Sequence, residues 1–293
     1  MSLPSLASIL EGVDLKAPQC TPLAIAAQDL ARASNASAGC SCGARLFMNE
    51  AVDDYRTSHL HKGDRYDDEL SANAWNAYTA EHELNIIRDI IKKFFNGRVK
   101  RCMDFACGTG RLTAVLQDLA EECVGIDVSP SMLDIAKQKC KKATFSLCDL
   151  TKDNPDLGAF DLITAFRFFG NAQDELRLAA LSALHRYLAP QGYLVLNNHR
   201  NPKAVQHRLF SWTGGASSMD LSAAKLKRHA QACGWVSVDM YGIGCWSLRH
   251  RWQSWVEDRS KGVDFLEKLS RHRVFATLAP NWIMILKKSN DLE

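Results

Sequence analysis

Apolar Ile86, Ile87, Ile90, Ile91 and Phe94 recur at helical spacing. They give one apolar stripe, which predicts a helix over residues 70–95, stopped by Asn96-Gly97. Upstream, residues 1–45 are rich in Ala and Ser and weakly patterned, with a loop at Ser34–Gly43. Downstream, short apolar runs alternate with amphipathic ones. Strands are predicted at Cys102–Ala106, Cys123–Val128, Ala143–Cys148, Phe160–Phe166 and Gly192–Asn198. Helices are predicted at Leu112–Ala120, Pro130–Lys141 and Gln173–Leu188, with a turn at Ala189–Gly192. A further helix, Ala223–Cys233, precedes two late strands, Val236–Cys245 and Trp282–Lys287. Strands alternating with helices imply a mostly parallel sheet covered on both faces, a doubly wound α/β fold. The division expected is a cap or lid segment over 1–84 and a catalytic domain over 85–293, with a basic insert at 249–273.

Composition changes this picture little. An apolar fraction of 46% and a charged fraction of 24% are ordinary for a globular chain. The net charge of +3 is too small to imply nucleic acid. The excess lies late: residues 221–293 carry 12 Lys and Arg against 7 Asp and Glu. Met1–Glu11 has no basic start and does not read as a signal peptide. The longest apolar runs, about five residues, fall far short of the ~20 that cross a bilayer. Most of the ten cysteines fall in predicted strands and helices, where free thiols pack as small apolar groups. A reducing cytoplasm is therefore expected. Cys20, Cys40 and Cys42 match no zinc spacing, and no metal is expected.

The chemistry concentrates in Asp104-Phe105-Ala106-Cys107-Gly108-Thr109-Gly110-Arg111, between a strand and a helix. Glycines there let the backbone turn sharply and pass close to a ligand. Asp127 closes the second strand about 20 residues on, where a carboxylate accepts hydrogen bonds from ribose hydroxyls. Cys148-Asp149-Leu150 ends the third strand, where an acid can accept from an adenine amino group. Asp104 is placed to face an ammonium group. Each acid alone can also be a solvated strand end or cap, an alternative as strong as the functional reading for Asp149 and weaker than it for Asp127; three on successive strand ends line the crevice where such folds bind ligands. A dinucleotide fingerprint needs a third glycine three residues after Gly110, and Thr113 stands there. Asp104 also suits a cationic, phosphate-free ligand, so S-adenosylmethionine (SAM) is favoured over NAD.

Asp104–Arg111, Gly125–Met132, Cys148–Leu150, Phe160–Phe169 and Ala189–Leu196 resemble the successive signature segments of class I SAM-dependent methyltransferases. The resemblance covers roughly residues 85–288 and departs at Ala106, where the family usually has glycine. It implies a seven-stranded sheet with the last strand antiparallel, and S-adenosyl-L-homocysteine (SAH) as product. The cofactor residues expected are Asp104, Ala106, Cys107, Gly108, Gly110, Asp127, Val128, Met132, Cys148, Asp149, Leu150 and Phe166.

The acceptor is far less legible. Arg167, Phe168 and Phe169 can wall a pocket for a flat or anionic group, although both rings read equally as packing. His199 is the best base for a hydroxyl acceptor, since histidine titrates near neutrality. Arg167 and His199 are thus the expected catalytic residues, and Tyr66, Tyr78, Phe168, Phe169 and Asn198 the expected substrate contacts. In the insert, Trp252, Trp255, Val256, Phe265, Leu266 and Leu269 fall at helical spacing among basic residues. This is either a cap helix on the sheet or an interfacial helix in peripheral membrane contact. The function expected is methyl transfer to a small molecule, with a macromolecular methyltransferase or a non-catalytic SAM-binding subunit as alternatives. No nucleic acid partner is expected, and the oligomeric state is left open.

Overall fold

The computed structural model describes residues 74–199, 201–204, 221–244 and 261–289. Tyr66, most of the lid expected over 1–84, and Trp252, Trp255 and Val256 of the insert lie outside the described residues.

Helix α1 (Ala74–Phe95) leads into strand β1 (Val99–Phe105), helix α2 (Thr113–Leu119) and strand β2 (Ala120–Asp127). Then come α3 (Pro130–Lys139), β3 (Thr144–Leu147), β4 (Phe160–Ala165), α4 (Asp174–Tyr187) and β5 (Leu188–Asn198). The chain continues through α5 (Ala223–Ala232), β6 (Trp235–Ile243), α6 (Lys261–Ser270), α7 (Arg273–Ala276) and β7 (Asn281–Lys288). The seven strands form one sheet in the order β3-β2-β1-β4-β5-β7-β6. The first five run parallel, and β7 pairs antiparallel with both β5 and β6. The chain reverses its winding direction at β1, between β2 and β4, which is where folds of this kind open a crevice.

The strands are apolar at successive positions because both faces are covered. On one face Cys102, Leu162, Val195, Ile283 and Ile285 pack with Ile86, Ile87, Ile90 and Ile91 of α1 and Leu116 of α2. On the other, Met103, Ile163, Leu194, Leu196, Met284 and Leu286 pack with Leu181 and Leu184 of α4 and Leu226 of α5. The expected border at residue 84 falls inside α1.

Two local expectations need correction. The turn expected at Ala189–Gly192 belongs to β5. Phe160 pairs with Leu188 while Leu162 pairs with Tyr193, so the intervening residues bulge out of the ladder. Gly192 is needed there because a Cβ would come within 2.9 Å of the Asp161 carbonyl oxygen. Strand β2 begins at Ala120, directly after α2, rather than at Cys123. Its exposed start is tied down by Arg101, which grips both oxygens of Glu122 at 2.7 and 2.8 Å. Among the described residues, no helix is long and apolar enough to cross a membrane.

Candidate active site

The carboxyl ends of β1, β2 and β4, with the segment after β3, surround an open cleft of about 980 Å³, its mouth included. Its wall contains eleven of the twelve expected cofactor residues: Asp104, Ala106, Cys107, Gly108, Asp127, Val128, Met132, Cys148, Asp149, Leu150 and Phe166. Gly110 stands behind it. There φ is +78°, and a Cβ would lie 3.0 Å from Ala136 Cβ and 3.1 Å from Cys140 Sγ, so this glycine lets the loop seat on α3. Gly108 differs. Its φ is +54°, but a Cβ would meet only Met132 Sδ, at 3.7 Å, and the residue lines the cleft. Ala106 has φ +55°, a left-handed conformation that costs a residue with a Cβ about 1–2 kcal/mol. The family's usual glycine at this place has the same physical reason.

The loop is held by the acid at the end of the neighbouring strand. Asp127 accepts from the Gly108 N–H at 2.8 Å and from the Ser129 N–H at 2.9 Å. Ser129 caps α3, accepting from the Met132 N–H, with Pro130 at the first turn. Asp149 accepts from the backbone N–H and hydroxyl of Thr151, at 3.0 and 2.6 Å, and so shapes its own turn while facing the cleft. Asp104 is the most buried of the three acids. Its oxygens accept from Thr113 (2.6 Å) and Thr164 (2.8 Å). Burial pushes its carboxyl up to about 6, against the pull of those hydroxyls and of the Arg111 charge. Thr113, which stands where a dinucleotide fingerprint has its third glycine, thus holds this acid in place.

Beside this wall lies a charged group that the sequence reading missed. Glu83 of α1 is 1% exposed in its side chain, and its Oε2 accepts from Arg111 Nη2 at 2.6 Å. Its Oε1 accepts from Asn197 Nδ2 at 2.5 Å, and Arg167 Nη2 stands 4.0 Å from Oε2. Burial works to raise the Glu83 carboxyl, but the charges of Arg111 and Arg167 and the hydrogen bonds from Arg111 and Asn197 outweigh it, and the group stays below the ordinary carboxylate value. Asn197 Oδ1 accepts from the Arg167 N–H at 2.5 Å, where Arg167 turns left-handed at φ +59°. Both arginines line the cleft. A signal for Glu83 existed: it lies four residues before Ile87 and seven before Ile90, on the stripe that faces the sheet.

The acceptor residues expected from sequence divide. Arg167 and Phe168 line the cleft. Phe169 is fully buried, packs edge-on against Phe168 and belongs to the core rather than the wall. Asn198 is also fully buried and donates to the Leu221 carbonyl at 2.6 Å, away from the cleft. Tyr78 donates to Glu267 Oε2 at 2.7 Å, which ties α1 to α6. His199 follows β5 with its ring against Gly170, where an added Cβ would be 3.2 Å from Cε1 and Nδ1; it is not part of the cleft wall. In the insert, α6 forms where helical spacing was expected, but its buried side carries Glu267 and Ser270, and Phe265 is 66% exposed.

The wall suits SAM. It joins a glycine whose open side faces the cavity, apolar Leu150 and Phe166 for a base, acids on the ends of β1 and β2 and just past β3, and in Asp104 a buried carboxyl that a cation would stabilise.

Residues 102–192 match the sequence model of a family described as "Methyltransferase domain". The matched segment carries every residue of the cleft wall, from Asp104 to Leu176. The chain is 30% identical over 132 residues to the magnesium-protoporphyrin O-methyltransferase of Rhodobacter capsulatus, covering 37% of this chain and 58% of that one. It is 28% identical over 158 residues to the trans-aconitate 2-methyltransferase of Azoarcus sp., covering 53% and 61%. The chain thus spans less than two thirds of these relatives' length. Its fold matches the N-methyltransferase NodS of Bradyrhizobium japonicum, solved with SAH, at a TM-score of 0.51 and 16% identity, covering 81% of this chain and all of that one.

Proposed function

We propose that this protein transfers a methyl group from SAM to a small-molecule acceptor. The observation that carries the reading is the cleft at the strand ends, where the loop with Gly108 meets Asp104, Asp127 and Asp149. SAM would supply a methyl group on a sulfonium, and the chain's task is mainly alignment, which can contribute up to roughly 7–11 kcal/mol. Asp127 is placed to accept from ribose hydroxyls while fixing the loop through the Gly108 N–H. Cys148, Asp149 and Leu150 would hold the base, and Asp104 the ammonium end. Phe166 and Phe168 wall the side next to β4 and would help to keep water from a methyl group placed there.

The finer reading is a hydroxyl acceptor with His199 as base. It is supported by the place of His199 one residue past β5, at the same carboxyl end of the parallel strands as the cleft, and by a relative named for O-methyl transfer. A cytoplasmic setting accords with the six described cysteines, all free thiols. The test is SAH release across hydroxyl, carboxyl, amine, thiol and carbon acceptors, by wild type and His199→Ala. A His199→Ala rate about 10²–10⁴-fold lower on a hydroxyl acceptor fits a general base. An undiminished rate removes the hydroxyl reading. Tight SAH binding with no turnover on any acceptor would favour a non-catalytic SAM-binding subunit.

A further inference from the structure

We propose that Glu83 is a positioning residue for the cofactor site: from α1, beside the cleft, its one carboxylate sets two sides of the cleft wall against each other. The inference rests on the SAM reading above and gives a role to a helix that contributes no described residue to that wall.

Two segments approach a ligand from different sides of the cleft. One is the loop after β1, which ends at Arg111 and Leu112; the other is the turn after β4, Phe166 to Phe168. Glu83 reaches both. Its Oε2 accepts from Arg111 Nη2 at 2.6 Å, at the end of the loop. Its Oε1 accepts from Asn197 Nδ2 at 2.5 Å, and Asn197 Oδ1 in turn accepts from the Arg167 N–H at 2.5 Å, inside the turn. The relay fixes the Asn197 amide, since its nitrogen must face an acceptor and its oxygen a donor. It also holds Arg167 at φ +59°, a left-handed backbone that a residue with a Cβ rarely adopts. The junction needs a carboxylate, which offers acceptors to donors from both sides, and its side chain is only 1% exposed, so water is kept from competing. The loop is also held by Asp127 at Gly108 and by Thr113 at Asp104. Glu83 adds the link across to the turn. A cofactor gripped from both sides binds best when their spacing is already set, because less ordering is left to the binding step. The linkage is reciprocal: a cofactor in the cleft must steady Glu83, and α1 with it.

The test uses the full chain and SAH as the probe, by hydrogen exchange and calorimetry. In wild type, SAH should slow exchange in α1 more than in α5, which packs on the opposite face of the sheet. Glu83→Gln, studied where circular dichroism shows it folded, should bind SAH about ten-fold more weakly, an ordinary size for coupled sites, and should lose the extra slowing in α1. Adding Asn197→Asp rebuilds the bridge and should bring SAH affinity most of the way back to wild type. A residue that served stability alone would leave the SAH affinity of the folded protein unmoved. Three results overturn the inference and leave the SAM reading standing: equal slowing in α1 and α5 of wild type, a folded Glu83→Gln that binds SAH as wild type does, or a double variant that binds no tighter than the single one. The wild-type exchange comparison decides even if a variant does not fold. If SAH does not bind wild type at all, the SAM reading falls and this inference with it.

Discussion

Replacing Glu83 with glutamine probes the buried group that joins α1 to the cleft. Glutamine has nearly the same shape but satisfies only one of its neighbours. Its carbonyl oxygen can accept from Arg111, and its amide nitrogen then points at Asn197 Nδ2. Asn197 cannot turn over to accept, because its own oxygen is held by the Arg167 N–H at 2.5 Å. The variant therefore loses one hydrogen bond, sets two donors against each other, and takes away the negative charge that Arg111 is paired with. Breaking a buried ion pair on one side costs about 3–5 kcal/mol, and the partial exposure of Arg111, 22% of its side chain, places this case near the lower end, ~3 kcal/mol. Urea unfolding followed by circular dichroism measures it. The pH dependence has a definite sign. The Glu83 carboxyl is held below its ordinary 4.5, so its contribution is complete above that value and is lost as pH falls through the lower folded-state value. The gap between wild type and Glu83→Gln should thus be full at pH 7 and close in acid. Adding Asn197→Asp should restore at least half of the loss, since the new carboxylate accepts from both the Arg167 N–H and the glutamine amide and returns the missing charge. A gap below about 0.5 kcal/mol at pH 7, or a double variant weaker than the single one, would refute the reasoning.

Asp127→Ala should weaken SAH binding by about 1.5–3 kcal/mol, the worth of hydrogen bonds to a charged group, while the chain stays folded; unchanged affinity by calorimetry would reduce Asp127 to an anchor for the Gly108 N–H. SAH affinity should rise as pH rises through about 6, because the Asp104 carboxyl must ionise to hold the ammonium group, and Asp104→Asn should flatten that profile. Gly110→Ala should lower stability by at least 1 kcal/mol, since it combines a left-handed backbone with a Cβ 3.0 Å from Ala136 Cβ, and denaturant unfolding at the wild-type midpoint would show that α3 gives way.

The sheet was legible because its strands are apolar on both faces and its helices on one; the two periods separate cleanly between Cys102 and Asn198. The cofactor cleft was legible because its parts lie at strand ends, where glycine and aspartate have few other reasons to recur in series. What escaped was whatever depends on distant residues meeting. Glu83 is an acid on an apolar stripe, and only the fold shows that Arg111, Arg167 and Asn197 come to it from three separate segments. Phe169 and Asn198 illustrate the converse. Each neighbours a residue at the cleft or its rim, but the alternation of a strand and the turn after it aim these two into the core. The bulge in β5 was hidden because Ala189-Pro190-Gln191-Gly192 has turn composition, and pairing across from Asp161 keeps it in the sheet.

The central claim is that the cleft is built for SAM, and calorimetric titration of the full chain with SAH and with NAD tests it most directly. The account predicts one SAH site per chain, weakened by Asp127→Ala, and negligible heat with NAD. Tight NAD binding with none for SAH would contradict it.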